Sequence, residues 1–377
     1  MSHPAAAKAA RGTSEFNTAV HALRAFATIM VFCAHMFDSF QTYFFPDSET
    51  LNLAVPYIKR FGTFGVELFF VISGYVIMSS VSRYDVREFF MRRFVRIYPM
   101  FAFFTILFFA LNWFARLYPE KLSIASLLAN LGFVDIYFGI QALSPNAWSL
   151  TYEANFYALA GIGCFFLRGR MRVAFALLTL AALAFLAVFP ISWYFVAGCV
   201  VYFVRHLQPR TTLSVVQIAA AVVWCLMAAT VERANGSSGW QSAGMNIVLL
   251  ACTTLFFFVV TAPQGGLARL ATVRWIFFMG TISYSFYLAH PYSYFAIRVL
   301  LQKIGFEKLD IGIAAAIYFP VMAGMAVAAS YAVYRLLEIA PYRAMFGEAV
   351  FKARASVSEG AGEARLVRRD GAPVAQT

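Results

Sequence analysis

Arg24 and His35 stand inside the first long apolar stretch of the chain, a permanently charged side chain and a titratable one where lipid tolerates neither well. Eleven residues separate them. That is about three helical turns, so both fall on one helix face, roughly 16 Å apart along its axis. An arginine near a bilayer centre costs roughly 2.5 to 3.5 kcal/mol on insertion scales, and such residues usually mark a pathway or a site. The face they share is therefore expected to look into the protein. The competing readings are an arginine that snorkels to the interface and a histidine that merely bonds a neighbouring helix.

Other polar residues inside apolar stretches are few, and they form stripes. Ser149, Glu153 and Tyr157 recur at i, i+4 and i+8, and Ser283, Tyr287 and His290 recur at i, i+4 and i+7, each set on one helix face. Singly each stripe reads as packing glue. Together with Glu67, they predict a cavity in which His35, Glu67, Glu153 and His290 meet at one level of the outer half of the membrane. A carboxylate there would orient an imidazole and set its proton affinity for general-base work. Arg93 and Arg96 open another apolar stretch as i, i+3 neighbours; planar guanidinium forks suit phosphate oxygens, while a topology signal is the plainer reading and the one adopted for Arg92.

The elements that must hold these groups follow from composition. With 61% hydrophobic and only 13% charged residues and a mean hydropathy of +0.70, the chain is far more apolar than a soluble domain, whose charged share is about 25%. It reads as all-α and polytopic. Apolar runs near the roughly 20 residues needed to span lie at 19–40, 60–81, 94–114, 148–167, 172–189, 191–204, 213–231, 242–262, 275–300 and 311–336, about ten in all. The stretch 122–140, broken by Asn130, Gly132 and Asp135, reads as re-entrant or interfacial.

Charge placement sets the orientation. With a cytoplasmic N-terminus, the inward segments carry Lys8 and Arg11, then Arg83, Arg87, Arg92, Arg93 and Arg96, then Arg168, Arg170 and Arg172, then Arg205 and Arg210, then Arg269 and Arg274. Outward loops, among them 41–57, hold only Lys59, Arg60, Arg116, Lys121, Arg233, Lys303 and Lys308, so the positive-inside rule favours an even count with both termini cytoplasmic. The formal net charge of +12 is thus topology and attraction to anionic membrane lipid, and no nucleic-acid partner is expected. Residues 1–18 read as a cytoplasmic N-terminal tail, 19–346 as the membrane domain, and 347–377 as a disordered cytoplasmic tail. Cys33, Cys164, Cys199, Cys225 and Cys252 all fall in predicted spans without metal-ligand spacing, so no metal site and no disulfide framework are expected.

Five ordered motifs resemble the acyltransferase 3 family over about residues 19–345. They are Leu23-Arg24 followed by His35; Phe64-Gly65-Val66-Glu67 through Ser73-Gly74-Tyr75; Arg93-Phe94-Val95-Arg96-Ile97-Tyr98-Pro99; Trp148-Ser149-Leu150-Thr151-Tyr152-Glu153; and Ser283-Tyr284-Ser285-Phe286-Tyr287-Leu288-Ala289-His290-Pro291. His21-Ala22 stands where many relatives have Asp-Gly, which leaves the Arg24/His35 pair intact. The resemblance implies a multi-pass cell-membrane O-acyltransferase, of the short type without an appended SGNH esterase domain. It implies transfer of an acyl group, commonly acetyl, from acyl-CoA as cytoplasmic co-substrate, with no permanently bound cofactor. The acceptor would be a hydroxyl of a glycan or lipid-linked saccharide on the outer side, or of a small macrolide-like molecule. Fitted to that activity, His35 is the expected general base, Glu153 its orienting partner, Arg24 a neighbour of the thioester arm, and Arg93 with Arg96 the phosphate clamp for coenzyme A. Glu67, Ser149, Tyr157, Tyr287 and His290 are expected to contact acceptor or assist the base. A transporter or flippase for a lipid-linked glycan suits the intramembrane charges as well.

Overall fold

The computed structural model describes residues 17–208, 214–231, 240–262, 265–270 and 272–346, and among these there is no strand. The expected tails and much of the loops at 205–211 and 232–240 lie outside the described residues. The chain folds as α1 (Thr18–Phe44), α2 (Glu49–Thr63), α3 (Gly65–Arg83), α4 (Val86–Ala115), α5 (Ile124–Leu131), α6 (Ala147–Arg168), α7 (Arg172–Val188), α8 (Trp193–Val204), α9 (Ser214–Thr230), α10 (Trp240–Val260), α11 (Gly266–Leu270), α12 (Arg274–Lys303), α13 (Ile311–Val333) and α14 (Ala340–Phe346). Side-chain caps set several starts: Asn17 accepts from the Val20 amide, Ser48 from Leu51, Asp85 from Glu88 and Asp310 from Ile313. Pro56, Pro99, Pro291 and Pro320 sit inside helices, as neighbouring helices allow in membrane proteins.

Among the described residues, four helical runs are long and apolar enough to cross a membrane: Thr18–Phe44, Glu49–Arg83, Val86–Ala115 and Ile311–Phe346. The expected spans 172–189 and 191–204 form a pair bent by 117°, and α8, at 12 residues, is only about 18 Å long. Helices α6 and α12 have the length, 22 and 30 residues, but their polar stripes dilute the apolar character. The expected outer loop 41–57 is largely helical: α1 continues to Phe44, and Ser48 starts α2, an amphipathic helix that buries Val55. The stretch 122–140 holds an eight-residue helix, about 12 Å long and too short to cross.

Residue pairs give the helix directions. Arg24 meets Ser283, Phe32 meets Phe286, and His35 meets His290, so α1 and α12 run parallel. Tyr284 donates to the Ile97 carbonyl and Tyr292 to that of Phe104, so α4 runs with them. Helices α3 and α6 run the other way: Arg93 faces Tyr157 while Phe90 faces Gly161, so α6 opposes α4, and Ser73 meets Glu153 while Val81 meets Cys164, so α3 runs with α6.

Helices α3 and α8 touch backbone to backbone, which requires small residues. A Cβ on Gly74 would lie 2.0 Å from the Phe195 carbonyl oxygen, and one on Gly198 2.0 Å from that of Val71. Gly198→Ala is accordingly expected to lower stability by about 1 to 3 kcal/mol, read as a fall in the unfolding midpoint of detergent-solubilised protein. An unchanged midpoint would mean that the two helices do not approach this closely.

Candidate active site

Helices α1, α3, α4, α6 and α12 form a partly open cavity lined by apolar residues and by Arg24, Ser73, Arg93, Arg96, Ser149, Glu153, Tyr157, Ser283, Tyr284 and Tyr287. Arg24 donates from Nε and Nη2 to Ser283 Oγ at 3.1 and 3.0 Å. That uses two of the five N–H groups of the guanidinium. Glu153 Oε1 accepts from Ser73 and from Tyr157, the latter one turn further along its own helix. The Arg93 guanidinium lies 5.6 Å from the centre of the Tyr157 ring and donates to Ser80. Ser149 and Tyr287 share a hydrogen bond of 2.8 Å. Arg92, one residue from this group, is instead engaged by Glu88 and by the Tyr342 hydroxyl, at 2.7 and 2.8 Å.

The charge balance of the cavity favours an anion. Arg24 has Arg96 as a like-charged neighbour and Glu338 and Glu153 as opposite ones. The lining carries the guanidiniums of Arg24, Arg93 and Arg96 against the one carboxylate of Glu153, in surroundings where screening by water is weak. Such a site suits a phosphate or the polarised oxygen of a thioester.

His35 and His290 lie outside this lining, at a second level. Their ring centroids are 5.5 Å apart, and the Tyr294 ring stacks on His35 at 6.5 Å with an interplanar angle of 18°. His290 is buried, at 1% exposure; its Nδ1 donates to the Phe286 carbonyl at 2.9 Å, and its Nε2 has no hydrogen-bond partner among the described residues.

Of the residues singled out from the sequence, Arg24, Arg93, Arg96, Ser149, Glu153, Tyr157 and Tyr287 share the cavity, and His35 and His290 share the second level. Glu67 is buried in the first turn of α3, beside the cavity-lining Val66. Two expected placements change. Glu153 is at the level of Arg24, not of His35, and it serves Ser73 and Tyr157; the neighbour of His35 is His290. The reason is the entry to α6: Thr151 donates to Asp135 at 2.8 Å and Asn146 donates to the Tyr287 carbonyl at 2.6 Å, so the helix starts at the level of Tyr287. Because α6 runs opposite to α12, Glu153 then moves away from His290 with each turn. The second change is that Arg93 and Arg96, read from the sequence as part of an inward segment, line the same cavity as Arg24.

Comparison with known proteins now adds to this geometry. A family model described as an acyltransferase domain, Acyl_transf_3, matches residues 17–335. The chain belongs to the acyltransferase 3 family. A curated relative from Bacillus subtilis (strain 168), named "Putative peptidoglycan O-acetyltransferase YrhL", is 24% identical over 294 residues, which cover 65% of this chain and 46% of that protein. The match thus spans less than half of the relative's length. No solved structure matches the chain.

This acyltransferase 3 chain also uses site residues that sequence reasoning passed over. Ser73 sits within the quoted second motif but reads there as a helix-packing residue. Glu338 comes from a π-helical turn, Tyr334–Ile339, between α13 and α14; it is buried and accepts from Ser285 Oγ at 2.6 Å. The core-facing residues of α13 recur every fourth position, from Ala314 through Tyr318, Met322 and Ala326 to Ser330. A four-residue step overshoots an α-helical turn, so that stripe drifts around the helix. A turn with i→i+5 bonds winds more slowly and brings Glu338, two steps beyond Ser330, back toward Ser285. The signal available was a single carboxylate two residues beyond the last apolar stretch, 311–336.

Proposed function

We propose that the chain is a membrane O-acyltransferase that moves an acyl group, acetyl in the simplest case, from acyl-CoA on the cytoplasmic side to a hydroxyl of a cell-surface or exported glycan on the outer side. The observation that carries this reading is the stacking of an arginine-lined cavity and an imidazole pair on the same two parallel helices, with Arg24 and His35 about 16 Å apart along α1. A nucleotide donor with a long flexible arm fits that separation. Its phosphates meet Arg93 and Arg96, its arm passes Arg24, and its thioester reaches the level of His35. There His35 takes the proton of the acceptor hydroxyl as the oxygen attacks the thioester carbonyl carbon. Collapse of the tetrahedral intermediate breaks the C–S bond, and the departing thiolate recovers the proton from the imidazolium. The glycan acceptor is supported by the name of the Bacillus relative, a peptidoglycan O-acetyltransferase. About ten crossings of the cell membrane with both termini inside are supported by the charge asymmetry and by the alternation of α1, α3, α4 and α6.

One reconstitution tests donor and orientation together. The full chain with a C-terminal tag is placed in proteoliposomes, orientation is scored by protease access to the tag, and radiolabelled acetyl-CoA is supplied on one side only. Slow thioester hydrolysis or self-acylation is expected when donor and tag share a side. Silence from both sides would sink the enzyme reading and favour transport.

A further inference from the structure

Beyond the imidazole pair, toward the Phe44 end of α1, the parallel helices α1 and α12 each carry a polar side chain at every fourth position. On α1 these are His35, Ser39 and Tyr43; on α12 they are His290, Tyr294 and Arg298. Side chains four apart stack on one helix face, and the cross-helix contacts show that the two stripes face each other. His35 lies against both His290 and Tyr294, and the Arg298 guanidinium lies 3.8 Å from the centre of the Tyr43 ring. The paired stripes run for eight residues, about 12 Å. His290 is 1% and Ser39 4% exposed, His35, Tyr294 and Arg298 are half-buried, and Tyr43 at the far end is 43% exposed, so the polar lane opens at this end.

Arg298 at the open end has no carboxylate partner among the described residues. Its guanidinium is held between Tyr43 and Phe295, the latter at 4.9 Å, and its Nε is buried without a hydrogen-bond partner among the described residues. The nearby carboxylate of α1, Asp38, is taken by Lys59 at 2.7 Å. An arginine that only snorkels to the interface would keep its nitrogens in water; here a donor is withdrawn from water while the planar fork is fixed by two rings. Leaving such a donor unmatched is costly, and an oxyanion is its natural complement. Two further buried polar atoms of the lane have no hydrogen-bond partner among the described residues, Ser39 Oγ along α1 and His290 Nε2 at the closed end.

We infer that this lane is the acceptor subsite and that Arg298 at its mouth selects a saccharide bearing an oxyanion, a uronate carboxylate or a glycosyl phosphate, set one or two sugar units from the hydroxyl presented to His35. Tyr43 and Tyr294 give ring faces against which sugar rings lie, and Arg298 fixes the register that brings a hydroxyl to the imidazole. This rests on the reading of His35 as the reacting centre.

The test uses the purified full chain in detergent and follows its unfolding midpoint while glucuronate, glucose 1-phosphate or glucose is titrated, with acetate and inorganic phosphate as ionic controls. Glucuronate or glucose 1-phosphate is expected to raise the midpoint saturably while glucose and acetate do not, and the stronger of the two identifies carboxylate or phosphate as the group read. Arg298→Gln should weaken the apparent affinity by about tenfold or more, since a hydrogen bond to a charged group is worth about 1.5 to 3 kcal/mol. Arg298→Lys, which keeps the charge but loses the fork and the stacking, should give an intermediate loss and serves where the glutamine variant does not fold. Equal effects of glucose and its anionic counterparts, or a midpoint shift that survives both substitutions, would overturn the lane. Turnover of labelled acetyl-CoA by the unaltered protein separates the two readings: turnover without an Arg298-dependent sugar effect defeats the lane alone, and absence of turnover defeats the acyltransferase reading beneath it.

Discussion

His35→Gln is expected to reduce acyl transfer by about 10²- to 10⁴-fold, the usual contribution of a positioned general base, with the protein present in the membrane at near-normal level. Glutamine preserves polarity and approximate size but cannot shuttle a proton near neutral pH. His35 is half-buried beside His290 and Tyr294, so a glutamine can occupy the same space without opening the packing of α1 on α12. The measurement is transfer of label from acetyl-CoA to acceptor, set against the amount of detergent-extracted protein. Full activity in His35→Gln would remove this imidazole from the chemistry and turn attention to His290. His290→Gln is expected to lower kcat with the donor KM unchanged, because His290 belongs to the same level and not to the arginine cavity.

The arginine cavity should fail in a different way. Arg93→Gln and Arg96→Gln are each expected to raise the donor KM by roughly tenfold or more, from the loss of charge-assisted contacts worth about 1.5 to 3 kcal/mol each, and to leave the acceptor KM little changed. The structure adds an expectation for Glu153. A carboxylate that oriented His35 would, when neutralised, lower kcat alone. Glu153 instead accepts from Ser73 and from Tyr157, whose ring lies under Arg93, so Glu153→Gln should disturb the Arg93 cradle and shift the donor KM as well. Donor titrations on the three variants in proteoliposomes separate these outcomes. A normal donor KM in the Arg93 and Arg96 variants would return those arginines to a role in topology. A fall in kcat alone in Glu153→Gln would restore the carboxylate to the imidazole.

Much of this was legible in the chain as written. An 18% aromatic and 61% hydrophobic composition leaves a membrane as the fitting solvent, and backbone groups in lipid must then be satisfied within helices or closed barrels; the long apolar runs choose helices. The Arg24/His35 spacing places both on one helix face from the 3.6-residue period alone, and the stripes at Ser149, Glu153 and Tyr157 and at Ser283, Tyr287 and His290 follow from the same period. Family membership was legible too, because it rests on ordered local motifs.

Depth and partnership were not legible, and they decided the chemistry. Periodicity gives the angle of a side chain about its helix, but its height depends on where the helix begins relative to its neighbours. That height is set by long-range contacts such as Asn146 to Tyr287 and Asp135 to Thr151, which fix the start of α6 and move Glu153 from the imidazole to the arginines. The π turn that aims Glu338 at Ser285, and the facing of Tyr43 by Arg298, likewise join residues 53 and 255 positions apart. Local propensity carries no record of such pairs. The residue types and the helix faces were determined by the sequence through a local period, while the assignment of carboxylate, imidazole and guanidinium to partners was made by packing between helices far apart in the chain.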